Sequence, residues 1–536
     1  MVDYNKKCNV NKNIVFYNNF NTKKIKESIL NALIEIVNEL YVSNNISTYE
    51  KYLVPLKNLR DDTHLIYLAE YLKKINCKTI IKESNYIDKV YLNDFSQFYV
   101  RCFPHYKKTC SRLHFFNLEI TEDDFYDNYL LGKNLQEHYL GFSIIKPLPF
   151  FLGRTCVKPY FDPNNNSTFF IQQKYEVNLC GKPLHINSLI FHDKDKATAA
   201  CSTVALWICF QMTSHLFKNH LPLLSPLEVT KLASKSTTSP NRLIPNKSLT
   251  TLQVVSIIKE LNLELEQRKA RNKDIFSFIY AYIHYKIPII LLIERYKNNR
   301  RIGHAVIVSG IIFNNYQENK FLKGKIKLKA HFINELLIHD DKIGPYIKVT
   351  LEMKENSYNH YYTIHIGNNE YKINNIIVPV YHKIRVALED ILYNKFFIEI
   401  NNLFNEIFSQ NSENNKNIVS TIMWDIFLTD INEFKKDIAN LNIDTQLKKS
   451  ILISPYPKYL WRAIMYNYKK DKIIPIFEFQ VDATDLPKSI FIYKSFFYGK
   501  YNIFFKLGYT VEGLKNKKYT DLVEKIKDRL IKPIKN

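Results

Sequence analysis

Glycine is scarce in this sequence: 12 in 536 residues, where about 7% is ordinary. A glycine here therefore marks a local backbone need more often than it would elsewhere. Long hydrophobic runs are absent too. The longest clean one, Ile287 to Ile293, falls far short of the roughly 20 residues that cross a bilayer, so no membrane span is expected. The opening Met-Val-Asp-Tyr-Asn-Lys-Lys has no apolar centre of a signal peptide. Eight cysteines, Cys8, Cys77, Cys102, Cys110, Cys156, Cys180, Cys201 and Cys209, are scattered without a dense framework, which excludes a disulfide-stapled fold. The expectation is a reduced, cytoplasmic protein with free thiols. No internal repeat, low-complexity linker, helix-turn-helix or aromatic–basic RNA signature is visible.

Acids are also in deficit: 75 Lys and Arg against 52 Asp and Glu, a balance of 75 − 52 = +23. Such an excess favours nucleic acid, an anionic membrane or an acidic protein as partner. The lysines, however, are spread in short clusters such as Lys515-Asn-Lys517-Lys518, the pattern of a solvated face. Hydrophobic residues make up 46% of the chain, enough for a packed interior, and the length calls for more than one core. The turn-rich Asp162-Pro-Asn-Asn-Asn-Ser and a pattern shift near residue 371 divide the chain into 1–160, 165–370 and 371–536.

Periodicity gives the elements. Helices are expected over Ile25 to Val42, His64 to Ile75, Leu249 to Leu263, Lys383 to Ile400 and Asp521 to Ile531, and one beginning at Ser225-Pro226-Leu-Glu228. Tyr86 to Val100 reads as partly strand. Strand pairs are expected around Gly141 to Thr155 and over Tyr175 to Leu179 with Leu184 to Phe191, and further strands at Ile287 to Glu294, Ile376 to Tyr381 and Ile474 to Val481. Cys102, His105, Cys110 and His114 have a spacing that zinc could use. Phe103, Tyr106, Leu113, Phe115 and Phe116 around them point instead to an aromatic core segment, and no metal or cofactor is expected.

Chemistry enters at Lys196-Ala-Thr-Ala-Ala-Cys201-Ser-Thr-Val-Ala-Leu-Trp207-Ile-Cys-Phe-Gln-Met212. An alanine-rich lead and an all-round apolar run predict a buried helix with Cys201 at its N-terminus. The unpaired N–H groups and dipole there favour an anion, so a thiol becomes a thiolate nucleophile more readily. A nucleophile needs a base and a group that orients it. His304 lies in Arg301-Ile-Gly303-His304-Ala305, where Gly303 removes a side chain beside the imidazole and lets substrate or thiolate approach. Asp340 and Asp341 end the next apolar strand, Glu335 to His339, and either can hold the ring; Asp340 is preferred because it lies closer to the apolar run.

The order Cys201, His304, Asp340/Asp341, with 304 − 201 = 103 residues between the first two, resembles the papain-like cysteine peptidase superfamily. Ala200-Cys201-Ser-Thr-Val-Ala-Leu-Trp207, Gly303-His304-Ala-Val and His339-Asp340-Asp341-Lys-Ile-Gly-Pro345 resemble an uncharacterised group in its bacterial double-glycine leader-peptidase-like branch. Arg112-Leu-His-Phe-Phe116 and Gly153-Arg-Thr155 also resemble parts of that group, without suggesting chemistry. The resemblance implies an α+β fold with a papain-like core: a buried helix bearing the cysteine, packed on an antiparallel sheet bearing the histidine and aspartate, with α/β flanking regions. It implies cleavage of an amide or isopeptide bond in a protein or peptide substrate, with the Cys201 N–H in the oxyanion hole.

One departure stands out. The family pattern places a glutamine side chain shortly before the cysteine, as part of the oxyanion hole. Here the segment reads Phe191-His192-Asp193-Lys194-Asp195-Lys196, so Lys194, His192 or the backbone alone has to serve. The competing expectation is a catalytically degenerate scaffold that acts as a basic interaction protein for nucleic acid or an acidic protein. A third is a thiol acyltransferase or transglutaminase built on the same triad.

Overall fold

The computed structural model describes most residues between 13 and 506; 44–55, 234–247, 314–325 and 406–420 are the longer stretches outside the description, together with 1–12 and 507–536. The expected helix over Asp521 to Ile531 lies outside the described residues. A first sheet runs in chain order as an antiparallel meander: β1 (Ile14–Tyr17), β2 (Thr79–Tyr86), β3 (Cys110–Phe116), β4 (Tyr139–Ile145) and β5 (Leu152–Val157). Helices Ile25–Ser43 and Thr63–Lys74 pack against each other beside it. A short strand β6 (Asn166–Thr168) and the hairpin β7 (Gln173–Leu179) with β8 (Lys182–Ser188) follow.

The helix Cys201–Phe217 comes next, then helices Pro226–Leu232 and Thr251–Glu260, strand β9 (Leu263–Lys269) and the apolar helix Ile275–Ile283. Six long strands follow: β10 (Ile289–Lys297), β11 (Arg300–Phe313), β12 (Ile333–Asp340), β13 (Gly344–Asn356), β14 (Asn359–Ile366) and β15 (Asn369–Tyr381). Each pairs antiparallel with the next, and β15 returns to pair with β10. Another antiparallel sheet, β16 (Thr421–Asp430), β17 (Tyr459–Lys469), β18 (Lys472–Asp482), β19 (Ile492–Phe497) and β20 (Phe504–Lys506), ends the described chain.

That return pairing overturns the expected papain-like core. The histidine and aspartate stand on a closed six-stranded antiparallel barrel, accompanied by several separate sheets. The physical reason is strand length and irregularity. Strands of up to 14 residues accumulate twist, and register shifts at Leu292/Ile293, Val308/Gly310, Ile312/Phe313 and Ile338/Asp340 bend them until the first and last edges meet. Ile290 thus pairs with Ile377, a closure that local periodicity does not encode.

Two local expectations also fail. Lys89–Gln97 is a helix, not strand; Asp88 caps it by accepting from the Tyr91 N–H at 2.9 Å. Over Lys383 to Ile400 the chain forms not one helix but the short helix Leu388–Leu392 and a second helical segment from Phe397, with Tyr393 and Asn394 outside both. The remaining described elements fall close to where the pattern placed them, except that the helix expected over Leu249 to Leu263 spans Thr251–Glu260 and Leu263 already opens β9. The helix at Ser225 starts with a full capping box, Ser225 to the Glu228 N–H and Glu228 back to the Ser225 N–H.

Candidate active site

Cys201 is the first residue of its helix, and nearly every side chain from Ser202 to Thr213 is buried. The helix lies across β11, with β10 and β15 beside it. Its middle is pinned by Trp207, whose indole N–H donates to the Leu224 carbonyl at 2.7 Å. The approach to its head is fixed at both ends. Phe191 exchanges two backbone hydrogen bonds with Thr155 of β5, at 2.8 and 2.9 Å. Nearer the cysteine, one Asp195 oxygen accepts from the N–H groups of Ala197, Thr198 and Ala199 at 3.0, 2.8 and 2.9 Å. The other accepts from the Tyr99 hydroxyl at 2.6 Å. Cys201 itself stays partly exposed.

His304 stands on β11, opposite Ile293 of β10, and is 4% exposed. Its Nε2 donates to Asp340 Oδ1 at 2.9 Å, which assigns the tautomer and leaves Nδ1 as the basic nitrogen. Nδ1 is buried and has no hydrogen bond of ordinary geometry. Burial works against charge on the ring; hydrogen bonding to Asp340 and to Cys201 outweighs it and lifts the imidazole to about 9. Cys201 is thus close enough to bear on the ring, and Nδ1 is the nitrogen not already used by Asp340.

The two aspartates divide. Asp340, 1% exposed, also accepts the Lys342 N–H on Oδ1 at 2.8 Å. Burial pushes its carboxyl up, but the His304 bond and charge win and hold it below its ordinary range. Asp341 turns to Lys194, whose Nζ donates to Oδ2 at 2.7 Å. Its Oδ1 has no hydrogen-bond partner and lies 3.5 Å from His304 Nε2. The preference for Asp340 as the ring's partner agrees with this geometry.

Behind the acids sits a layer that the sequence did not announce. His64, near the start of the helix Thr63–Lys74, donates from Nε2 to the Asp341 carbonyl at 3.0 Å and approaches Asp193 Oδ1 to 3.5 Å. Burial pushes the Asp193 carboxyl up to about 7. Tyr67 of the same helix donates to the Pro345 carbonyl at 2.6 Å and lies where a Cβ on Gly344 would come within 2.3 Å. Gly344 is therefore required by close approach. Gly303 is not: a Cβ there meets nothing within 4 Å, so the glycine leaves open surface beside the histidine and is not needed to seat the thiol. The one missed signal within reach of the sequence was Asp195, an acid placed to gather the N–H groups of a turn just ahead of a helix.

His192 points away from this work. It packs edge-on against Trp207, its ring centroid 5.3 Å away, and donates to the Asp193 carbonyl. The zinc-like quartet is dispersed: His105 is exposed, Cys102 half-buried, Cys110 buried, and His114 bonds the Tyr139 hydroxyl within the first sheet. One group among the described residues has cation-ligand spacing, His304, Asp340 and Asp341, with ligand atoms within 4.8 Å of one another. Lys194 already neutralises Asp341, and Asp340 is committed to the ring and the Lys342 N–H, so the donor set fits a triad better than a cation. Among the described residues no helix is long and apolar enough to cross a membrane, and the described cysteines are free thiols. No family model and no curated protein matches the chain.

Proposed function

We propose that the protein is a thiol hydrolase that cleaves an amide or isopeptide bond in a protein or peptide, with Cys201 as nucleophile, His304 as base and then acid, and Asp340 as the group that orients the ring. The observation that carries this reading is the pair of nitrogens on His304. Nε2 is fixed on Asp340 at 2.9 Å, while buried Nδ1 is left without an ordinary hydrogen bond beside the cysteine that opens the helix. Such an arrangement lets the ring take the thiol proton and later return it to the leaving amine. The cationic ring and the helix N-terminus both attract negative charge to the sulfur.

Basic groups beside the ring that neighbours His304 favour an acidic residue near the scissile bond. Arg295 and Lys342 lie 5.4 and 5.9 Å from the centre of the Tyr371 ring, which is itself 6.3 Å from the His304 ring. Acyl transfer to an amine instead of water uses the same steps, and product analysis separates the two.

The test is competitive alkylation. An iodoacetamide-type probe is expected to modify Cys201 well ahead of Cys180, the exposed comparator, and His304→Ala is expected to abolish that lead. Equal labelling of the two thiols in the wild type would sink the proposal.

A further inference from the structure

Resting on that reading, we propose that Lys194 is a further catalytic residue, its ammonium receiving the oxyanion, and that Asp341 is the positioning residue that holds it there. Lys194 stands on the tethered segment between Phe191 and Ala200, seven residues ahead of the nucleophile. Its side chain is mostly buried at 16% exposure, and the carboxylate that pairs with it is buried at 4%. The pair is anchored at the triad, because Asp341 Oδ1 lies 3.5 Å from His304 Nε2. Cys201 is among the negative groups that favour charge on this lysine.

The chemistry needs such a group. When the thiolate attacks, the S–C bond forms and the carbonyl π pair moves onto oxygen. That pair then returns to re-form C=O and expel the leaving group, which takes the proton held by His304. The N–H groups at the helix head supply one side of the oxyanion site. No glutamine lies in the preceding segment to supply the other. An ammonium has three donors, and Asp341 occupies one. A cation already fixed by a buried carboxylate pays no reorganisation when the oxygen becomes negative. Adjacent aspartates thus carry separate tasks: Asp340 sets the ring and Asp341 sets the cation.

Two reagents separate the roles. Iodoacetamide alkylates the thiolate by displacing iodide and forms no oxyanion. p-Nitrophenyl acetate acylates it through one and expels p-nitrophenolate. In Lys194→Met, Cys201 acylation is expected to fall about 100-fold, with alkylation changed less than about 5-fold; a drop in acylation alone is not what a structural role would give. Lys194→Arg is expected to keep acylation within about 10-fold of wild type, and Asp341→Asn to fall between the two. Equal slowing with both reagents, or no slowing with either, would overturn the assignment. If wild-type Cys201 outpaces Cys180 with neither reagent, the hydrolase reading fails with it, a result distinct from an unchanged Lys194→Met.

Discussion

His304 and His331 each place Nε2 at 2.9 Å from an aspartate oxygen, yet the two contacts do different things. Asp274, the partner of His331, is the N-cap of the helix Ile275–Ile283; it accepts from the Ser277 N–H at 3.1 Å and from the Ser277 hydroxyl. The second nitrogen of His331 accepts from the Leu328 N–H at 3.5 Å. Both nitrogens serve the backbone or a cap. His304 spends one nitrogen on Asp340 and leaves the other, buried and without an ordinary hydrogen bond, beside Cys201. A histidine–carboxylate contact is therefore structural by default. On the proposed reading it becomes chemical when the remaining nitrogen has capacity to spare and a thiol beside it.

That contrast can be broken most sharply by exchanging the histidines' fates. His304→Ala is expected to slow Cys201 acylation by about 10⁴-fold. His331→Ala is expected to leave the rate within about threefold while costing about 1.5–3 kcal/mol in urea unfolding. A comparable rate loss in both would erase the distinction. Asp340→Asn comes next, with a loss of about 10³-fold in acylation, since the ring then loses its fixed tautomer; rates measured with the same ester decide it.

The third expectation concerns pH. His304 stands at about 9 in the folded chain against an ordinary 6.5. Its stabilisation is therefore fully present below about pH 6.5 and is lost as pH rises through about 9. It amounts to something on the order of 3 kcal/mol. Asp340, held low, contributes above its ordinary 3.8 and loses that contribution as pH falls. The unfolding free energy of wild type minus that of His304→Gln should thus shrink between pH 7 and 9.5, and a flat difference would contradict the pairing. The smallest effect on the reaction belongs to the structural pair: Asp274→Ala, which removes both the cap and the partner of His331, should cost about 2–4 kcal/mol, read by thermal unfolding, with Cys201 reactivity unchanged.

Much of the site was legible because each signal was local. An all-round apolar run after small residues placed Cys201 at a helix start, and Gly303-His304-Ala305 opening an apolar run placed the imidazole on a strand. The choice between Asp340 and Asp341 rested on a nearness argument, whereas the structure separates them by partner: His304 for one, Lys194 for the other. His64 was not legible, since it stands on a helix more than a hundred residues upstream, and Asp193, though close to Cys201 in sequence, gave no signal without that partner. The helix Lys89–Gln97 was misread as partly strand although Tyr91 and Phe95 stand four apart, a helical spacing; its cap at Asp88 was the better guide.

Small residues leading into an all-round apolar run, and the apolar stretches around His304 and before Asp340, determined by themselves that a thiol would head a buried helix and that a histidine and an acid would sit on apolar strands, because those signals act within a few residues. Closure of the barrel, the pairing of β10 with β15, and the seating of Lys194 on Asp341 belonged to the tertiary structure alone. Each joins residues about 80 or more positions apart, and such contacts are chosen by how twist, register shifts and buried charge are satisfied together.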